Sequence, residues 1–159
     1  MMILIDGDAC GVINVTERLA KEMNIPCHIY CDTSRMLESS YSEIHIVDKG
    51  RDSADFAIIN KCTSNDIVIT NDSGLATMVL AKNGIAINAK GFEYTTHNIM
   101  SYLTKRYIRQ HESKKLNRNQ VHGMNMRDKT RPRNDYKQTL QRAIDRTERS
   151  KKLEENLLP

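Results

Sequence analysis

The sequence contains no tryptophan, and aromatic residues make up only 5% of it. A core built from this chain must therefore be aliphatic, packed by Ile, Leu, Val and Met. No apolar run approaches the roughly 20 residues needed to cross a bilayer as a helix, which excludes a helical membrane protein. The opening residues, MMILIDGDAC, lack a basic segment and meet an acid at Asp6, so they read as a first strand and not as a secretory signal. A cytoplasmic location is the expectation, and reduced thiols are then the default for Cys10, Cys27, Cys31 and Cys62. Cys27 and Cys31 have no second pair to complete a zinc site and read as strand packing. The five histidines are scattered and show no ligand spacing. There is no internal repeat.

With 39% hydrophobic and 28% charged residues, the composition is globular, and 159 residues suffice for one domain with a sizeable core. The net charge of +4 conceals an asymmetry. Residues 1–99 hold 8 Lys and Arg against 13 Asp and Glu, a net −5, whereas residues 100–159 hold 16 against 7, a net +9. Such a division points to an acidic site beside a basic surface able to attract a polyanion.

Strand and helix patterns alternate along the first ninety residues. MILI (2–5), CHIYC (27–31), EIHIV (43–47), DIVIT (66–70) and IAIN (85–88) have strand character. Between them, residues 12–23 place Val12, Val15, Leu19 and Met23 at helical spacing, and residues 52–62 place Phe56, Ile59 and Cys62 on neighbouring turns. Residues 75–84 read as a mostly buried helix stopped by Asn83-Gly84. The alternation predicts a three-layer α/β/α fold around a mainly parallel five-stranded sheet. Residues 97–109 carry Ile99, Leu103 and Tyr107 on one helical stripe, and 135–155 form a last amphipathic helix. We therefore expect an α/β domain over 1–110, a mobile basic loop over 111–134, and a C-terminal helix over 135–159 packing on the same domain.

Asp6 and Asp8 follow the first strand as ILIDGD, and Asp72 follows the fourth as IVITND. In an open α/β sheet ligands bind beyond the carboxyl ends of the strands, near the switch point. In the order 3-2-1-4-5 strands one and four are neighbours, so these three acids would converge. Asp52 and Asp55, in RDSADF, start the second helix at the same sheet edge with i, i+3 spacing. Each acid also has a plainer reading: Asp52 could serve the helix dipole, and Asp72 could cap the third helix. Asp48 and Asp66 read as turn residues. Together, four or five carboxylates in one cleft repel one another, and a hard divalent cation relieves that repulsion. Mg²⁺ or Mn²⁺ held by Asp6, Asp8, Asp52, Asp55 and Asp72 is the expected cofactor, with Asp6, Asp8, Asp55 and Asp72 carrying the chemistry.

The basic part supplies a candidate nucleic-acid surface, RNA foremost. Lys105, Arg106 and Arg109 share a helix, Lys114, Lys115, Arg118, Arg127, Lys129, Arg131 and Arg133 follow, and Lys90 sits in the AKG turn after strand five. Tyr107 and Tyr136 could stack on bases. The plainer reading is a solvated charged face, with Tyr107 in a helix core stripe.

The segments LIDGDAC, RDSADFAI, DIVITNDSGLATMVLAKNG and NAKGFEYTTHNI, in that order, resemble the uncharacterised bacterial YaiI/YqxD family, with a weaker continuation in DKTRPRNDYKQTLQRAI. The resemblance implies a PIN-like (NYN-type) nuclease fold and a metal-dependent ribonuclease-like activity. It places Asp6 and Asp8 in the first acidic motif, Asp52 and Asp55 in the central helix, and Asp72 in the TND motif with Thr70 and Asn71 beside it. Gly11 departs from the family, which usually has Pro after the Cys of the first motif; glycine frees the helix start and the position of Cys10 beneath the site. Two other classes stay open: a haloacid-dehalogenase-like phosphatase using Asp6 as nucleophile and Asp8 as acid/base, and a non-catalytic RNA- or protein-binding module.

Overall fold

The run Ile3–Asp6 forms the first strand, β1, and all four of its residues are buried. In the computed structural model, which describes residues 1–50, 52–112 and 135–157 apart from the side chains of Asp8, Cys10, Glu112 and Leu157, this strand lies inside the sheet. Strands β2 (Cys27–Asp32) and β3 (Glu43–Val47) lie on one side of it. Strands β4 (Ile67–Ile69), β5 (Ile85–Ile87) and β6 (Glu93–Tyr94) lie on the other. The order is β3-β2-β1-β4-β5-β6; only the β5–β6 pair is antiparallel. The five parallel strands and their order agree with the sequence reading. The sixth strand is an addition, because two residues carry too little alternation to be recognised.

The central strands are continuous apolar runs because helices cover both of their faces. A 3-10 turn (Gly7–Val12) leads into α1 (Ile13–Glu22); α2 (Ser53–Lys61), α3 (Ser73–Ala81), α4 (Ile99–Glu112) and α5 (Tyr136–Leu157) follow. The pleat sends alternate residues to opposite sides. Ile3, Ile5, Ile29, Ile67 and Ile69 pack with Leu19 of α1 and with Leu140, Ala143 and Ile144 of α5. Leu4, Val68 and Ala86 pack with Ile58 of α2, Leu75 and Val79 of α3, and Ile99 of α4.

The helical stripes differ in detail from the periodicity. In α1 the buried residues are Ile13, Thr16, Leu19 and Ala20, while Val15 is 40% exposed: with the helix starting at Ile13, the face turns by one position. In α2 Phe56 is 60% exposed, because Ile58 sets the buried face and two residues turn a helix by about 200°. In α4 Ile99 is buried and Leu103 packs on the second cluster, but Tyr107 is exposed, so the stripe ends before it.

Asp66 is a turn residue and also a fully buried anchor. Its carboxylate accepts the Met2 amide at 2.8 Å, the Thr63 amide at 2.8 Å and the Thr63 hydroxyl at 2.6 Å. This pins the beginnings of β1 and β4 together. Cys27 and Cys31 are buried free thiols on β2, as strand packing requires. Among the described residues no helix is long and apolar enough to cross a membrane. The expected basic loop over 111–134 falls outside the described residues from 113 onward, whereas 111 and 112 close α4.

Candidate metal centre

β1 ends in Asp6, only 6% exposed, and the chain turns at once through Gly7. A Cβ at position 7 would lie 2.8 Å from the Cys31 Cβ and 2.9 Å from the Tyr30 carbonyl oxygen, so the turn needs glycine to pass this close to β2. Just past β4, the buried hydroxyl of Thr70 donates to Asp6 Oδ2 at 2.8 Å and accepts the Asp72 amide at 3.0 Å. One threonine thus orients the first acid and fixes the turn that carries the second.

Asp72 is the N-cap of α3, as its plainer reading anticipates. Its Oδ1 accepts the amides of Gly74 at 2.6 Å and Leu75 at 3.3 Å. The same oxygen is met by the Arg106 guanidinium, reaching over from α4. A Cβ on Gly74 would sit 2.7 Å from Arg106 Nη1, so this glycine makes room for the arginine. Arg106 therefore turns into the acidic site and does not belong to an outward-facing basic row.

The third contribution comes from the start of α2. Asp52 is exposed and takes a left-handed backbone with φ of 62° at the N-cap of α2; it makes no side-chain cap bond, so its charge alone serves the helix dipole, as its plainer reading has it. One turn on, the Asp55 carboxyl is pushed up to about 6, first by burial and then by the charges of Asp72, Asp6 and Asp52, with Arg106 opposing. Acids separated by up to 66 residues thus share one electrostatic environment. They line a cleft of about 170 Å³ together with Asp32, Gly7 and Arg35. Among the described residues, no three of these acids bring carboxylate oxygens within 4.8 Å of one another. An all-oxygen donor set of this kind suits Mg²⁺ or Mn²⁺.

Asp32 and Arg35 escaped the sequence reading. Asp32 ends β2 as HIYCD, so the strand-end rule applied to Asp6 would have found it. Its carboxyl is held below the usual range by the Ser34 hydroxyl and amide, the latter at 2.9 Å. Arg35 Nη1 donates to the Gly7 carbonyl at 3.1 Å, tying the loop after β2 to the acidic turn. The side chains of Asp8 and Cys10 lie outside the described ones.

The remaining expected residues divide. Asn71 faces away from the acids: its Oδ1 accepts the Ala89 amide at 3.3 Å and ties the β4 turn to the AKG turn. Lys90 is exposed in that turn, with its amide held by Asn88 Oδ1 at 2.9 Å. On α4, Lys105 and Arg109 are exposed, Lys105 lying 5.6 Å from the Tyr102 ring. Tyr107 is open to solvent and stacks on His111 at 3.9 Å. Tyr136 is not free to stack on bases, because it packs on the core and its phenol pairs with Thr16 at 2.7 Å. Lys114, Lys115, Arg118, Arg127, Lys129, Arg131 and Arg133 lie outside the described residues.

Residues 4–146 match the family described as "Uncharacterized BCR, YaiI/YqxD family". The matched span contains every acid discussed above. Similar curated proteins carry the label UPF0178. One from Clostridium acetobutylicum is 42% identical over 123 residues, covering 77% of this chain and 83% of the relative. One from Clostridium kluyveri is 48% identical over 108 residues, covering 68% and 71%. One from Natranaerobius thermophilus is 35% identical over 144 residues, covering 91% and 96%. No solved structure matches.

Proposed function

The chain belongs to the uncharacterised YaiI/YqxD family, and on that footing we propose that it is a metal-dependent nuclease, with RNA as its first candidate substrate. The observation that carries this reading is the convergence of Asp6, Asp55 and Asp72 from three elements into one cleft, with Asp55 raised to about 6 by their company. Asp6 and Asp55 would be the principal ligands, with Asp72 and Asp52 beside them in the cleft and Asp8, two residues after Asp6 in the sequence, as the remaining candidate. When bound, Mg²⁺ or Mn²⁺ supplies Lewis acidity towards a phosphodiester and a water of lowered pKa.

The chain's own groups have separable tasks. Thr70 holds Asp6 in one orientation. Arg106 neutralises Asp72 and stands at the cleft, where its fork of donors suits a phosphate oxygen. Lys90, Lys105 and Arg109 are exposed cations that suit phosphates further along a strand, giving affinity without base preference. Buried thiols fit a reducing, cytoplasmic setting. The phosphatase alternative uses Asp6 and Asp8 alone and gives no part to Asp55.

Asp72→Asn tests the proposal. Asparagine is as good an N-cap as aspartate, so the fold is kept while the negative charge offered to a cation and to Arg106 is lost. Cleavage of a single-stranded RNA with Mn²⁺ present should disappear in the variant while its circular dichroism is unchanged. Cleavage at the wild-type rate in Asp72→Asn would refute this site.

A further inference from the structure

The histidines that look scattered in sequence are not scattered in space. β2 and β3 run parallel with His28 beside Glu43 and Tyr30 beside His45. Side chains two apart on a strand share a face, so His28, Glu43 and His45 emerge together on β2 and the edge strand β3. His28 Nδ1 lies 2.9 Å from His45 Nε2; Glu43 Oε2 lies 3.4 Å from the first nitrogen and Glu43 Oε1 lies 3.5 Å from the second. Among the described residues this is the one group of His, Cys, Asp or Glu whose ligand atoms all fall within 4.8 Å of one another.

We propose that His28, Glu43 and His45 form a second metal site, separate from the acidic cleft and suited to Zn²⁺ or a similar borderline divalent ion. The dimensions carry the argument. Metal–nitrogen and metal–oxygen bonds of about 2.1 Å at tetrahedral angles put ligand atoms about 3.4 Å apart. The two imidazole nitrogens share a hydrogen bond of 2.9 Å whose proton an ion would replace, and one Glu43 oxygen lies 3.4 Å from His28 Nδ1 while the other lies 3.5 Å from His45 Nε2, so the three groups stand within a small side-chain adjustment of that edge. The donor chemistry is also distinct: imidazole nitrogen suits Zn²⁺, Ni²⁺ or Cu²⁺, whereas the all-carboxylate cleft suits Mg²⁺ or Mn²⁺. Tyr30 stacks on His45 with ring centroids 4.6 Å apart and sets its orientation, as outer partners of a ligating histidine do. Glu43 is 66% exposed, so water completes the coordination, leaving a three-ligand open site.

The test is calorimetric titration of Zn²⁺ into the full chain, made in an Asp55→Asn background so that the acidic cleft does not contribute. His45→Gln and Glu43→Gln are added singly to that background; both positions are accessible enough to leave the fold intact. One saturable Zn²⁺ should bind in the background protein. Each further substitution should weaken it more than 10-fold, since even outer-shell partners are worth about 10–100-fold in metal affinity. Co²⁺ bound in place of Zn²⁺ should show visible bands without thiolate charge transfer. Absence of a saturable Zn²⁺, an unchanged Kd in either variant, or thiolate bands with Co²⁺ would overturn the assignment. None of these outcomes bears on the Mn²⁺-dependent cleavage, so the two sites stand or fall separately.

Discussion

Replacing Asp55 by asparagine removes a charge that its surroundings oppose. The carboxyl sits at about 6 in the folded chain against an ordinary 3.8, through burial and the charges of Asp72, Asp6 and Asp52. Between those two pH values the native state holds a proton that the unfolded chain has released. Native stability from this group therefore falls as pH rises from about 4 through 6, and the full penalty applies above that. A carboxyl raised from 3.8 to about 6 corresponds to an upper bound of ~3 kcal/mol. Asp55 is only partly buried, and solvent screening cuts the realised penalty to about 1 kcal/mol. In a domain of this size that moves Tm by about 2–4 °C. Thermal unfolding of metal-free protein should show Asp55→Asn matching wild type near pH 4 and exceeding it by that amount at pH 8. Saturating Mn²⁺ should then reverse the ranking, because a cation bound only by the native wild type stabilises it by about 2.7 kcal/mol at 100 times Kd. A variant no more stable than wild type at pH 8, or a difference that ignores pH, would refute the shared electrostatic environment of the cleft.

Other substitutions probe the frame around the site. Asp66→Ala strips three hydrogen bonds from a buried anchor and should cost about 2–4 kcal/mol in urea unfolding; a loss under 1 kcal/mol would remove its role in aligning β1 and β4. Ile144→Ala, on a fully buried position of α5, should cost about 2–5 kcal/mol and lower Tm in a single transition, which tests the proposal that the C-terminal helix packs on the same domain. Gly11 has open space where a Cβ would go, so Gly11→Ala should raise Tm by a few degrees, about 0.5–1 kcal/mol; a lower Tm would mean that the turn needs glycine. Arg106→Gln frees Asp72 from a competing cation and should tighten Mn²⁺ binding in calorimetry while weakening retention of single-stranded RNA in a filter assay; unchanged Mn²⁺ affinity would mean that the guanidinium does not guard the cleft.

Much of the architecture was readable because its signals are local. ILI, IVI and IAI are buried runs bounded by polar turns, and strand-end acids in such a sheet meet at the switch point. That rule found Asp6 and Asp72, and helix-start spacing added Asp55. Asp32 also ends a strand, but it lies one residue past the apolar CHIYC run and merges with the polar stretch that follows. What stayed hidden depends on register and rotation. His28 and His45 become neighbours only once β2 and β3 are paired in one alignment, and a one-residue slip would send them to opposite faces. Arg106 looked like one of a row of basic residues; its pairing with Asp72 depends on how α4 packs beside α3, where Gly74 leaves the space. Phe56 and Val15 failed as core residues because apolar spacing fixes a helical period but not which way the stripe faces.

On the proposed function, Asp6 and Asp55, 49 residues apart in sequence, hold one cation between them. Calorimetric titration of Mn²⁺ into metal-stripped protein, run beside Asp6→Asn and Asp55→Asn, tests it most directly. Saturable binding in wild type should be lost in both variants and be accompanied near pH 6 by proton release that Asp55→Asn abolishes. Wild-type protein that takes up no Mn²⁺, or binding that survives in either variant, would contradict it.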